Sequence, residues 1–252
     1  MSIDVDDNAN AERRGIKSIE TGMRVIEVLC KEGRAMSLKA LAKASGLPAS
    51  NCHRYCVSFV RTGYLKQDIK SGRYDLGRSL LEGGLATMAR IDPVSVATDA
   101  LISIVEKTGH TGLLAIWAEK GPIIIRWIAG RAAVRTSIST GSSVPLFTSA
   151  TGLIFLAYLS KRQTAEVAER EGQTYSNHEK LIARIRKTGI AQVSGTHIPG
   201  LTAVSSPVLD SYGEASSALT LIAAHKGIEK SAIQCLRSEA EQASAELGWS
   251  NS

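Results

Sequence analysis

The chain has 252 residues, 44% of them apolar and 21% charged, and its mean hydropathy is close to zero. A chain of this size and make-up can build ordinary cores, which excludes wholesale disorder, and its length suits two domains. The net charge of +6 is concentrated: residues 31–80 hold ten Lys/Arg against three acids, whereas residues 91–252 hold fifteen basic and fourteen acidic residues.

Residues 1–14 are polar, acidic and without periodicity, so a disordered tail is expected there. A signal peptide would be basic and then apolar, so a cytoplasmic location is expected instead. No run approaches the ~18 apolar residues of a membrane span. Cys30, Cys52, Cys56 and Cys235 show no framework spacing and are expected to be reduced thiols.

From Ile19, apolar residues recur at helical spacing through Met23, Ile26, Leu29 and Cys30 until Gly33 stops the run. Ser37 then stands as an N-cap before Leu38, Leu41 and Ala42, and Gly46 ends this second helix. Leu47-Pro48-Ala49-Ser50 opens a third helix with Ser50 as a candidate cap, Cys52, Tyr55, Cys56 and Phe59 facing inward, and Gly63 ending it. Residues 64–66 and 73–76 are short strand-like pieces around a basic turn, a β-hairpin. Helix, helix, tight turn, helix and basic hairpin make a winged helix-turn-helix over residues 15–77.

Charge alone fits a solvated basic face equally well; the motif beneath it turns the reading toward double-stranded DNA. Asn51 and Arg54 on the third helix suit base edges, and Ser50 and His53 suit bases or phosphates. Lys66, Lys70 and Arg73 on the hairpin suit phosphates or the minor groove, and Ser37 sits at the start of the second helix, where phosphate contact is expected.

Residues 78–91 form a linker helix containing Gly83-Gly84. The pair either weakens the helix into a hinge or packs closely against a partner. A second domain, residues 92–249, follows. It is expected to run helix (to Lys107), strands at 111–118, 123–128 and 134–140, and helices at 149–159, 164–170 and 179–188. Strands at 190–196, 202–209 and 215–224 and a last helix at 231–247 complete it. That order gives an α+β fold, one antiparallel sheet with flanking helices.

Together the segments SLKALAKASGLPASNCHRY, GYLKQDIKSGRYDLG, GSSVPLFTSATGLIFLAYL, IPGLTAVSSPVLD and ASSALTLIA resemble those of the IclR family of bacterial transcriptional regulators. The resemblance runs from about Ser18 to Leu247 and rests on their order and spacing. It implies a GAF-like C-terminal effector domain and a homodimer, or dimer of dimers, on a palindromic operator. It also implies a small organic effector that tunes operator binding, most often by repression of a catabolic or transport operon. Matched segment by segment, the family's effector pocket falls on Ser149, Ala150, Thr151, Val193, Ala203, Thr220 and Ile222. The same side chains equally suit ordinary core packing.

A helix N-terminus at Ser149-Ala150-Thr151 would offer free backbone N–H groups to a carboxylate, and Thr220 a hydroxyl. The chain also departs from the family. Many relatives carry an acidic run at Val193-Ser194-Gly195-Thr196, a cysteine at Ala203 and a serine at Ile222. Each change removes polarity or volume, so a larger, more apolar effector is expected, an aromatic carboxylate rather than a two- or three-carbon acid.

Other constellations carry less. Cys52 and Cys56 flank His53 but lack two further ligands, so no metal is expected. His110, His178, His197 and His225 are scattered singly, with no nucleophile–base pair and no phosphate-loop or nucleophile-elbow motif, so no enzyme and no cofactor are expected. Trp117 and Trp127, within strand-like runs, suit core packing better than ligand stacking, although Trp127 beside Arg126 is also placed to border the pocket. Arg126 and Arg135 face inward or outward with equal ease on strands. The competing class is a non-specific structural DNA-binding protein without an effector; an enzyme tethered to DNA is a weaker third.

Overall fold

The structure is a computed structural model that describes residues 15–131, 134, 136–196, 198–224 and 227–250. The expected tail at 1–14, Arg135, His197 and His225 lie outside the described residues. Two compact units divide between Arg90 and Ile91.

The first unit opens with α1 (Lys17–Glu32), α2 (Leu38–Ser45) and α3 (Ala49–Arg61). Its small core gathers Val25, Ile26 and Leu29 of α1, Leu41 of α2, and Cys52 and Cys56 of α3. α2 begins as expected, with Ser37 Oγ accepting the Ala40 N–H at 3.3 Å, and stops at Gly46, whose φ of 67° is left-handed. α3 corrects the expectation for Ser50. The helix starts at Ala49 with Pro48 at the N-cap, so Ser50 lies inside the first turn and caps nothing. Proline has no N–H to leave unsatisfied and its fixed φ suits helix entry, so the helix begins two residues earlier than a Ser50 cap would start it.

β1 (Leu65–Gln67) pairs antiparallel with β2 (Tyr74–Leu76). The Asp68 carboxylate accepts both the Ser71 N–H and its hydroxyl at 2.7 Å, which closes the hairpin tip and holds the Asp68 carboxyl below its usual range. α4 (Arg78–Met88) carries Gly83 and Gly84 in an unbroken helix with no buried residue. A Cβ at either glycine would meet nothing within 4 Å.

In the second unit, α5 (Pro93–Thr108) precedes a five-stranded antiparallel sheet of order β4-β3-β7-β6-β5, with β3 (Thr111–Ala118), β4 (Gly121–Ile128), β5 (Ala191–Ser194), β6 (Leu201–Leu209) and β7 (Ala215–Ala224). α6 (Ala150–Tyr158), α7 (Lys161–Arg170) and α8 (Glu179–Thr188) interrupt the strands, and α9 (Lys230–Glu246) ends the unit.

Period-two alternation divides the sheet between two cores. On β7, Ala218 and Ile222 join the core built on α6, while Leu219, Leu221 and Ala223 join the core built on α5 and α9. Because both faces are covered, β6 and β7 read as nearly continuous apolar runs with buried hydroxyls among them. α6 is buried from Ala150 to Ala157, as expected of a helix apolar all round.

The strand expected at 134–140 is not formed among the described residues there. Its alternating Thr, Ser and Ile resemble a strand, but the β4 edge is taken by the chain beyond it. Gly141 N–H donates to Ile124 O, Ile124 N–H to Ser142 O, and Val144 N–H to Pro122 O. The described residues of 134–140 thus have no ladder to join at this edge. β5 is likewise shorter than expected, ending at Ser194.

Candidate nucleic-acid interface and effector cavity

α3 presents two chemically opposite faces. Cys52 and Cys56 are fully buried, and burial pushes the Cys56 thiol up to about 12, so both remain neutral packing groups. Ser50, Asn51, His53 and Arg54 are exposed on the other side. Asn51 and Arg54 border a surface hollow with Ser58 of α3 and Ser18 of α1. This is the geometry a groove-reading helix needs: small buried residues fix the helix on its core, and the polar face is left free.

On the hairpin, Lys70 is exposed at the tip beside Ile69, which is 99% exposed. Lys66 is 3.4 Å from Asp75, an exposed ion pair that phosphate contact would have to share. Arg73 is exposed and lies 3.5 Å from the Ala35 carbonyl. Ser37 is exposed, with its oxygen engaged in the α2 cap.

In the second unit the structure brings Ser149, Ala150, Thr151, Val193, Ala203, Thr220 and Ile222 around a single cavity with about 490 Å³ of atom-free space, mouth included. They arrive from the α6 N-terminus, β5, β6 and β7. Trp127, Leu113 and Val144 add apolar wall. Thr136 and Ile138 of the irregular segment, with Ile198 and Leu201, complete it. Sequence reasoning missed these last four: Thr136, Ile138 and Ile198 are loop positions without a period, and Leu201 only opens β6. Arg126 is exposed and does not line the cavity.

The cavity's polarity is localised. Ser149 caps α6, its Oγ accepting the Gly152 N–H at 2.9 Å while donating to the Pro145 carbonyl at 2.6 Å. Among the described residues, the N–H groups of Ala150 and Thr151 have no protein acceptor. Two uncommitted donors at the positive end of a helix dipole, in an apolar wall, suit an anionic oxygen. Thr151 and Thr220 share a hydroxyl hydrogen bond of 2.8 Å. Among the described residues no cluster of metal-ligating side chains occurs, and no helix is long and apolar enough to cross a membrane.

Comparison with known proteins accords with both units. The model of the IclR helix-turn-helix domain matches residues 18–68, and that of the bacterial transcriptional regulator IclR C-terminal domain matches residues 85–249. The acetate operon repressor of Salmonella typhimurium is 25% identical over 217 residues, covering 82% of this chain and 79% of that one. The crystal structure of Pseudomonas aeruginosa HmgR has a TM-score of 0.86 at 30% identity, covering 94% of this chain and 100% of that one. An IclR homologue from Microbacterium hydrocarbonoxydans, solved with 4-hydroxybenzoate, shares the fold with a TM-score of 0.54 at 20% identity, covering 92% of this chain and 99% of that one. With an exposed helix-turn-helix reader in its first unit and both family domains matched across its length, the chain belongs to the IclR family of DNA-binding transcriptional regulators.

Proposed function

We propose that this protein is an effector-responsive repressor of a catabolic or transport operon. Residues 15–77 bind a palindromic operator, residues 78–91 link, and residues 92–249 take up a small organic acid, an aromatic carboxylate, with the chain acting as a homodimer or a dimer of dimers. One observation carries the effector reading: seven positions scattered over residues 149–222 meet at a mostly apolar cavity with two uncommitted N–H groups at one end. Val193, Ala203 and Ile222 make its walls apolar, which suits a ring better than a two- or three-carbon acid. The fold neighbour that holds 4-hydroxybenzoate supports the same chemistry.

On DNA, Asn51 and Arg54 read base edges, while Lys66, Lys70, Arg73, His53, Ser50 and Ser37 set the register through phosphates. The effector acts through a difference in affinity between two arrangements of the assembly, so operator and effector must alter each other's binding equally. Calorimetric titration with benzoates and with glyoxylate-sized acids tests the site. Tight binding of the small acids with all benzoates silent rejects the aromatic reading. Equal effector affinity with and without operator rejects the coupling, and a gel shift indifferent to sequence points to a structural DNA-binding protein instead.

A further inference from the structure

The cavity floor contains a row of hydroxyls. Thr151 Oγ1 lies 2.8 Å from Thr220 Oγ1, Thr220 Oγ1 lies 2.9 Å from Ser205 Oγ, and Ser205 Oγ lies 3.1 Å from the Leu219 carbonyl oxygen. A hydroxyl owns one proton and two lone pairs, and a carbonyl has lone pairs only. The row is therefore ordered from its far end. Ser205 donates to Leu219, so it accepts from Thr220. The Thr220 proton is then spent, so Thr220 accepts from Thr151. All three protons point away from the cavity.

Ser205 is fully buried and is not part of the cavity wall, whereas Thr151 and Thr220 are. These two hydroxyls hold out lone pairs: two on Thr151 and one on Thr220 after the bonds above. Ser149 has no proton to offer either, having donated it to Pro145. Donors among the lining residues lie elsewhere and include the Ala150 and Thr151 N–H groups, the Trp127 indole N–H and the hydroxyl of Thr136, whose oxygen accepts the Ile138 N–H at 3.2 Å.

We infer that Ser205 is a specificity-determining residue. By locking Thr151 and Thr220 as acceptors, it requires the effector to carry a hydrogen-bond donor, a hydroxyl or amino group, in addition to its carboxylate. This rests on the reading that the effector is an acid held in this cavity. A carboxylate set against the threonine pair would meet only lone pairs. Reversing the row to greet it would leave Leu219 without its hydroxyl partner and Ser205 without its acceptor, both in a buried site. The carboxylate belongs at the α6 N-terminus and the donor at the threonines.

The test is titration of the full chain with isosteric pairs that differ in one proton: the 2-, 3- and 4-hydroxybenzoates against the matching fluorobenzoates, and phenol against fluorobenzene. In the wild type, at least one hydroxyl compound should bind roughly tenfold or more tightly than its fluoro partner, the size expected for leaving buried acceptors unpaired. Ser205→Ala leaves the cavity wall intact and frees the Thr220 proton. It should bring that ratio close to one by tightening the fluoro compound while leaving the hydroxyl compound's affinity within about twofold, a pattern that simple loss of packing does not produce.

Equal affinity of the wild type for every pair overturns the inference, whether or not the variant folds. An unchanged ratio in Ser205→Ala overturns the role of Ser205. Benzoates that bind without a hydroxyl preference leave the acid reading standing and remove this one. A preference for phenol with benzoates silent does the reverse. Silence of every compound removes both.

Discussion

Gly152, in the first turn of α6, offers a sharp test of how the effector cavity is held. A Cβ at this position would lie 2.1 Å from the Pro145 carbonyl oxygen and 2.6 Å from both Cα and O of Leu146. These are backbone atoms and cannot rotate aside. Even a 3.0 Å contact needs the helix end or the facing segment to move by about 0.9 Å, the difference from the 2.1 Å approach. α6 is buried on every side, so its movement disturbs Leu153, Ile154 and Phe155 in the core. Overpacking of this kind costs about 1–3 kcal/mol. Straining the Ser149 cap, which binds the Gly152 N–H itself, adds about 1 kcal/mol. The better helix propensity of alanine returns about 1 kcal/mol.

Gly152→Ala should therefore destabilise the second unit by about 2 kcal/mol, a loss of about 1 M in urea midpoint for an m-value near 2 kcal/mol/M. Trp117, Trp127 and Trp249 all lie in this unit, so tryptophan emission follows it specifically. Gly83→Ala is the control, since nothing lies within 4 Å of its Cβ, and it should leave this transition unmoved. A wild-type midpoint together with wild-type effector affinity in Gly152→Ala would refute the close-approach argument.

Arg54→Ala should flatten the preference among operator variants. Lys70→Ala should weaken all sequences alike and reduce the salt slope of binding by about one, both read by fluorescence anisotropy across a salt series. Ser37→Ala removes the α2 cap and should cost the first unit about 1 kcal/mol, seen as earlier loss of far-ultraviolet dichroism with tryptophan emission unmoved. Lys107 binds Glu239 at 2.7 Å across α5 and α9; the hydrogen bond from Lys107 lowers the Glu239 carboxyl below its ordinary 4.5 and raises the Lys107 ammonium above 10.5. The carboxyl's contribution is complete above 4.5 and disappears as pH falls through its depressed value. The ammonium's contribution is complete below 10.5 and disappears as pH rises through its raised value. The urea-midpoint gap between wild type and Glu239→Gln should stay flat from pH 6 to 9 and narrow below 4.5.

Much of the architecture was legible because local signals agreed with one another. Ser37, Gly33 and Gly46 punctuate helices whose apolar spacing already indicates their inner faces, and β3 occupies residues 111–118, where its strand-like apolar run places it. Reading failed where partner and pattern disagreed. The described residues of 134–140 are strand-like in sequence but find no free edge to pair with, and Ser50 has a capping side chain two residues too late for the helix that Pro48 starts. Ser149, Ala150, Thr151, Val193, Ala203, Thr220 and Ile222 were named through family resemblance, since no spacing rule links positions so far apart.

By itself, then, the amino-acid order determined the two-part layout, the basic reader and most helix and strand limits, because these depend on forces acting within one or two turns of chain. Tertiary structure alone decided which distant side chains share a wall and which backbone donors stay uncommitted. It alone set the direction in which three hydroxyl protons point. A hydrogen bond between Thr220 and Ser205 exists only once β6 and β7 lie side by side in register.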